Sequence, residues 1–163
     1  MKFFNRNRNE DTETITPVYS EIPVKIEKVH NDAIIPTYAH HDDACCDLYA
    51  IEDYTLKPRG RGLLRTGIAI EIPTGYEVQV RPRSGLAFKQ GFSIVNSPGT
   101  VDAQYRNEIR VISINMGDKL IAIRKGDRIA QMCIKPVYKM QFKEVDKLSE
   151  SDRGLGGMGS TGR

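Results

Sequence analysis

Hydrophobic and polar residues alternate along most of this chain in short stretches. Apolar side chains fall on alternating positions in the segments 22–26, 64–72, 76–80 and 109–116. A period of two is typical of a β-strand that buries one face. Turn-forming triplets such as Pro-Thr-Gly and Lys-Gly-Asp separate the stretches. The pattern therefore predicts an all-β domain built as a sandwich, a barrel or a jelly roll.

One segment departs from this period. The sequence Ser-Gly-Leu-Ala-Phe-Lys-Gln at 84–90 predicts a single short helix. Ser84 is expected to cap its N-terminus, because a serine hydroxyl can accept a hydrogen bond from a free amide of the first turn. Leu86, Ala87 and Phe88 are expected to pack against the core.

The two ends of the chain lack the alternation. Residues 1–20 are polar and of mixed charge, which predicts a flexible arm before a single β domain at 21–150. Residues 151–163 hold five of the chain's 14 glycines. Composition alone favours a disordered tail there. The alternative is a flexible lid that closes over an anionic ligand, with Arg153, Ser160, Thr161 and the glycine amides as donors.

Composition narrows the class of protein. The 163 residues fit one domain, and a net charge of +3 without any tryptophan does not favour nucleic-acid binding. No apolar run is long enough to span a membrane, and the first residues do not form a secretory signal. We therefore expect a soluble, cytoplasmic protein without membrane or direct nucleic-acid contacts.

Reactive residue types are scarce. All three histidines lie within the first 41 residues, and the three cysteines have no CxxC spacing, so we expect reduced thiols. If the chain is an enzyme, its chemistry is expected to rest on carboxylates, arginines, hydroxyls and backbone amides.

Two segments carry side chains suited to phosphate chemistry. Arg83 precedes Ser84 and Gly85 at the predicted helix start, where backbone amides with a partial positive charge can bind an anion. Asp102 follows Val101 in a turn-to-strand segment and would deprotonate a water that lay within hydrogen-bond reach. The simpler alternatives are a solvated basic turn and an aspartate that stabilises a turn.

Two further polar residues stand among apolar neighbours. Gln131 needs hydrogen-bond partners if it is buried, and a ligand phosphate or a half-exposed strand position would each satisfy it. Asp47 follows two cysteines and precedes Leu48. Because a buried carboxylate is costly unless it is paired, we expect a salt bridge to an arginine or a water on Mg²⁺.

Five segments occur in a fixed order along the chain: CCDLYA, PRSGLA, GTVDAQYR, GDRIAQ and RGLGGMGSTG. Their order and spacing resemble the five motifs of the homotrimeric dUTPase family, the deoxyuridine triphosphate nucleotidohydrolases, from about residue 22 to the C-terminus. The resemblance implies a jelly roll that forms a homotrimer with active sites shared between subunits. It also implies hydrolysis of dUTP to dUMP and pyrophosphate with Mg²⁺, which limits uracil incorporation into DNA and supplies dUMP for dTMP synthesis.

The resemblance implies a role for each matching residue, with Asp102 as the general base. The implied uracil and deoxyribose contacts are Asn96, Gly99, Thr100, Val101, Asp102, Tyr105 and Met158. The implied phosphate contacts are Arg83, Ser84, Gly85, Gln131, Arg153, Gly157, Ser160 and Thr161. Tyr105 would lie under the deoxyribose and leave no room for a 2′-hydroxyl. Mg²⁺ would be held mainly by the substrate phosphates and water, with Asp47 acting indirectly.

Two positions depart from the family pattern, and two other functions remain open. Met158 stands where the family usually has a phenylalanine that stacks on uracil, and Cys45-Cys46 replaces a common Gly-Tyr pair. A dCTP deaminase-like enzyme would share the fold. A regulatory jelly-roll protein would act through a protein partner, and residues 1–20 would then be a candidate contact.

Overall fold

Residues 21–157 are described in this computed structural model, and they form eleven strands and one helix. The elements are β1 (Lys25–Lys28), β2 (Cys46–Tyr49), β3 (Tyr54–Leu56), β4 (Arg61–Arg65), β5 (Ile68–Glu71), β6 (Tyr76–Arg81), α1 (Ser84–Gln90), β7 (Phe92–Ile94), β8 (Gly99–Asp102), β9 (Arg110–Asn115), β10 (Ile121–Ile123) and β11 (Arg128–Pro136). The predicted arm at 1–20 and the end of the predicted lid, with Met158, Ser160 and Thr161, lie outside the described residues.

Antiparallel pairing joins the strands into four sheets. The larger two have the orders β2-β11-β6-β8 and β4-β9-β7, and the pairs β1-β5 and β3-β10 complete the described part. Strands that are distant in sequence lie side by side, such as β4 beside β9 and β2 beside β11. Such long crossovers between antiparallel strands are typical of a jelly roll, so the all-β prediction with one short helix is confirmed.

The alternating positions form one continuous hydrophobic core. Leu64, Ile68, Ile70 and Ile72 are all buried, as the pattern predicts. The prediction is wrong for the first stretch, because Val24 and Ile26 are exposed. β1 pairs with β5 alone, and within the described chain no second layer covers its outer face.

Strand β9 buries its small polar side chains and exposes large apolar ones. Ser113 and Asn115 are fully buried, and their side chains donate hydrogen bonds to the carbonyls of Gly62 (3.0 Å) and Lys119 (2.7 Å). The apolar residues on the other face, Ile112, Ile114 and Met116, are exposed or half-buried. This face of the sheet is therefore a surface with apolar character in a single chain.

Helix α1 has the predicted bounds but not the predicted cap. Arg83 occupies the N-cap position without a side-chain hydrogen bond, and Ser84 is the first helical residue. The packing prediction is wrong for Phe88, which is 91% exposed, and for Ala87, which is also exposed; Leu86 is half-buried against the core. With seven residues, α1 is too short to cross a membrane, and it is the one helix among residues 21–157.

A buried carboxylate joins the loop before β9 to the turn between β4 and β5. Glu108 is 4% exposed, and its carboxylate accepts hydrogen bonds from the Gly67 amide (2.9 Å), Arg65 Nε (3.1 Å) and Arg110 Nε (3.1 Å). Burial by itself raises the pKa of Glu108, but these hydrogen bonds outweigh burial and hold the pKa below its ordinary value. The charged form therefore stabilises the fold.

Glu108→Gln tests this stabilisation. Since the folded-state pKa lies below the ordinary value of 4.5, the stabilisation is complete above about pH 4.5 and is lost as the pH falls through the folded-state pKa. We expect E108Q to lower the free energy of unfolding at neutral pH by about 2–3 kcal/mol. Urea unfolding from neutral to acid pH measures this, and E108Q should lose less stability than the native chain as the pH falls.

The matched control is Asp118→Asn, because Asp118 also pairs with an arginine (Arg59 Nη2, 2.8 Å) but is largely exposed. An exposed pair contributes little, so D118N should behave as the native chain does. An E108Q variant as stable as the native chain at neutral pH would show that the Glu108 cluster does not stabilise the fold.

Candidate active site

A cavity of about 180 Å³ lies beside β8, and we call it the hairpin cavity. Its lining residues are Val80, Ile94, Asn96, Gly99, Thr100, Val101, Tyr105, Ile109, Arg110, Val111 and Ile112. Five residues expected to contact uracil and deoxyribose are thus brought together here. Arg110 and Ile112 also line the cavity, although no sequence motif predicts them as site residues. Their positions follow from the path of β9.

The alternation of β8 explains how this wall forms. Gly99 and Val101 are buried, whereas Thr100 and Asp102 face outward. β8 pairs with β6 on one side and is the last strand of its sheet. The backbone amides and carbonyls on its other edge are therefore not used by a neighbouring strand within residues 21–157.

Tyr105 and Asp102 are linked through the backbone. The Tyr105 amide donates a hydrogen bond to the Asp102 carbonyl (3.0 Å), and the Tyr105 hydroxyl donates one to the Glu108 carbonyl (2.9 Å). Asp102 is exposed at the end of β8, directly after the cavity residue Val101. Its carboxylate makes no hydrogen bond or ion pair with the rest of the described chain, so it can accept one from a water.

A second cavity, of about 650 Å³, lies at the start of α1, and we call it the basic cavity. Its lining residues are Ala39, His40, Asp43, Ala44, Cys45, Asp47, Arg83, Ser84, Gly85, Leu86, Lys89, Gln90, Arg128 and Gln131. Four residues expected to contact phosphate lie here together with Asp47. Its three basic side chains outnumber its two carboxylates, so the lining has a net positive charge that suits an anion.

Asp47 organises the basic cavity through two arginines. Its side chain is 13% exposed, and its carboxylate contacts Arg83 Nε (2.8 Å) and Arg128 Nη1 (3.3 Å). The expected arginine salt bridge of Asp47 is therefore present. Arg128 was not selected from the sequence, although it stands in the segment GDRIAQ. Gln131 lies beside this cluster and donates a hydrogen bond to the Pro82 carbonyl (2.8 Å).

The two cavities are separate in a single chain. They share no lining residue, and Asp102 pairs with Glu77 near the start of β6, whereas Ser84 follows the end of that strand. The four residue steps of the strand from Glu77 to Arg81 already span about 13 Å. One chain therefore does not bring Asp102 to the residues of its own basic cavity.

Comparison with known proteins identifies the family. A sequence model of the family described as dUTPase matches residues 31–162. The deoxyuridine 5′-triphosphate nucleotidohydrolase of Clostridium tetani is 51% identical over 144 residues, which cover 88% of this chain and 99% of that protein. The protein of the same name from Nautilia profundicola is 50% identical over 140 residues, covering 86% and 99%. The chain belongs to the dUTPase family.

Solved dUTPases have the same fold as this chain. The Staphylococcus bacteriophage 80alpha dUTPase with dUpNHpp has a TM-score of 0.76 and 25% identity, covering 86% of this chain and 99% of that one. A mutant dUTPase from phage phi11 of S. aureus, described with a structural Mg(II) ion, has a TM-score of 0.73 and 22% identity, covering 78% and 99%. The predicted jelly roll of the dUTPase family is thereby confirmed.

The cysteines of this dUTPase-family chain are free thiols, as expected. His40 and Cys45 line the basic cavity, although neither was among the residues expected at the site. Burial raises the pKa of Cys45 and raises that of Cys46 to about 11. Both thiols are protonated at neutral pH, which argues against a cysteine nucleophile.

The expected lid residues of the dUTPase motif do not line either cavity in the described part of the chain. Arg153 is exposed and folds back on its own segment, with Nε donating to the Gly156 carbonyl (3.1 Å) and Nη2 to that of Gly157 (3.4 Å). The described residues also contain no group of three or more histidine, cysteine or acidic side chains that could hold a metal ion.

Proposed function

We propose that the chain hydrolyses dUTP to dUMP and pyrophosphate, by attack of a water on the α-phosphorus with Asp102 as the general base. This reaction limits uracil incorporation into DNA and supplies dUMP for dTMP synthesis. The observation that carries the proposal is the clustering of the family's motif residues in two cavities of matching chemistry, one for a nucleoside and one for phosphates.

The edge of β8 supports recognition of uracil. Asn96 and the unpaired backbone groups of β8 offer fixed donors and acceptors to the edge of the base. Such polar matching rejects cytosine more strongly than apolar fit does, and the narrow cavity rejects the thymine methyl group by steric contact. The Tyr105 ring forms the floor under the deoxyribose, where a 2′-hydroxyl does not fit.

The basic cavity supports binding of the triphosphate. The Ser84 hydroxyl and the Gly85 amide lie in the first turn of α1, whose amides have no partners within the helix. Arg83 supplies positive charge, and Gln131 donates to the α-phosphate region. Phosphoryl transfer needs positioning and charge neutralisation more than covalent catalysis, which suits this set of residues.

The residues present fit an Mg²⁺ ion that the substrate itself holds. Asp47 is the one motif carboxylate in the basic cavity, and two arginines already occupy its oxygens, so it acts on the ion indirectly. Mg²⁺ retains bound water and prefers phosphate oxygens. When bound, the ion neutralises phosphate charge and orients the triphosphate for in-line attack.

A homotrimer with shared sites explains the separation of the cavities. In this arrangement the hairpin cavity and Asp102 of one subunit face the basic cavity of a neighbour. The outward face of β9 with Ile112, together with Met116 directly after the strand, offers apolar surface for assembly. Residues 151–163 act as a lid that brings Arg153 and Gly157 to the phosphates of a neighbouring site, together with Ser160 and Thr161.

The substrate profile and Asp102→Asn test the reaction. Pyrophosphate release should be faster from dUTP than from dTTP, dCTP or UTP and should require Mg²⁺. D102N should lower kcat by roughly 10²–10⁴ because it removes the base. D118N, at an exposed carboxylate outside both cavities, is the matched control and should retain activity. Absence of a preference for dUTP contradicts the proposal, and ammonia release from dCTP indicates a deaminase.

Mixed trimers test the shared site. Ser84→Glu places a negative charge in the basic cavity, and an acidic residue in the first turn of α1 does not oppose helix formation. D102N and S84E should each be inactive alone. The two variants are co-expressed with different affinity tags, and trimers that carry both tags are purified. In each such mixed trimer, one of the three sites combines the native Asp102 of one subunit with the native Ser84 of its neighbour. Mixed trimers should therefore have about a third of the native activity. Mixed trimers as inactive as the parents would show that each site belongs to one chain.

A further inference from the structure

The Tyr105 hydroxyl is held by a residue that does not itself line the hairpin cavity. It donates a hydrogen bond of 2.9 Å to the backbone carbonyl of Glu108. Tyr105 is 41% exposed, and its ring is a wall of the cavity. Since the body of the ring is open to solvent on one side, this hydrogen bond at its tip restricts the orientation of the ring.

The position of the Glu108 carbonyl depends in turn on the Glu108 carboxylate. That carboxylate is bound by the Gly67 amide (2.9 Å) and by Arg65 Nε (3.1 Å), which belong to the distant turn between β4 and β5. The next residue is bound to the same turn, because Thr66 Oγ1 donates to the Ile109 carbonyl (2.5 Å). The loop between β8 and β9, residues 103–109, is therefore fixed at its end near β9 to a rigid part of the fold by charge-assisted hydrogen bonds.

The other end of the loop is fixed by β8. The Tyr105 amide is bound to the Asp102 carbonyl, and Asp102 pairs with Glu77 in the sheet. Between these two anchors, the Arg106 guanidinium donates to the carbonyls of Ala103 (2.6 Å) and Tyr105 (2.9 Å). Among the described residues, Glu108 is the one buried charged side chain in the contacts that connect the Tyr105 ring to the turn between β4 and β5.

We infer that Glu108 is a positioning residue for sugar selection, which fixes the Tyr105 ring so that the site accepts deoxyribose and excludes ribose. The inference rests on the proposed function. Rejection of a 2′-hydroxyl by steric contact requires a wall that does not move, because a displacement of about 1 Å changes reaction rates strongly. Glu108 is buried and does not line the hairpin cavity, so it acts on the sugar through Tyr105.

Glu108→Gln separates sugar selection from catalysis. The measurement is kcat/KM for dUTP and for UTP with native and variant enzymes. We expect the ratio of the two values to fall about tenfold, through a lower KM for UTP, while kcat for dUTP changes by less than about twofold. Ser113→Ala is the control, because it removes a buried polar group of β9 that does not contact Tyr105. It should leave the ratio unchanged.

A double-mutant cycle with Tyr105→Phe identifies the route of the effect. Y105F keeps the ring and removes the hydroxyl that bonds to the Glu108 carbonyl, so it should lower the ratio as E108Q does. The two changes should not add in the double variant, because they break the same connection. A purely structural role of Glu108 predicts additive losses, and so additivity overturns the inference.

The outcomes separate this inference from the proposed function. If the native chain prefers dUTP over UTP but E108Q keeps the same ratio, the role of Glu108 is wrong and the proposed function stands. If the native chain has no preference for dUTP, both are wrong. If E108Q folds poorly, Y105F alone still tests the inference. An unchanged ratio of kcat/KM for dUTP to kcat/KM for UTP in Y105F overturns it.

Discussion

The antiparallel register between β8 and β6 is the constraint on which the candidate site depends. It places Gly99 opposite Val80 and Asp102 opposite Glu77, so the carboxylate lies near the start of β6. The segment proposed to bind phosphate follows the other end of that strand, at the start of α1. Among residues 21–157, β8 is also an edge strand, and its outer backbone edge is the proposed contact for the base. A single register thus places Asp102 away from the basic cavity of the same chain.

Two carboxylates of similar design support the two cavities. Asp47 binds Arg83 and Arg128 beside the basic cavity, and Glu108 binds two arginines behind the hairpin cavity. Glu108 is buried and Asp47 is half-buried, and in each case charged donors offset the cost of desolvating the carboxylate. Asp47 holds Arg83 and Arg128 in place, and Glu108 holds Tyr105 through its carbonyl. The proposed reaction relies on positioning, so it needs such fixed groups.

Local features of the fold were predictable from sequence, and long-range ones were not. The bounds of α1 and the burial of Leu64 follow from short patterns, and the ordered motifs supply residues of both cavities. The cap at Arg83 and the exposure of Phe88 depend on how α1 meets the sheet. Glu108 was not predicted as a site residue, because its partners Gly67 and Arg65 are 41 and 43 residues away, where no local period can reveal them.

The central claim is that one active site combines cavities from different copies of this chain. A crystal structure of the protein with dUpNHpp, the nucleotide present in the phage 80alpha dUTPase structure, tests it most directly. We expect one bound nucleotide to contact Tyr105 and Asp102 of one protomer and Ser84 and Gln131 of its partner. A nucleotide bound by all four residues of the same protomer would contradict it.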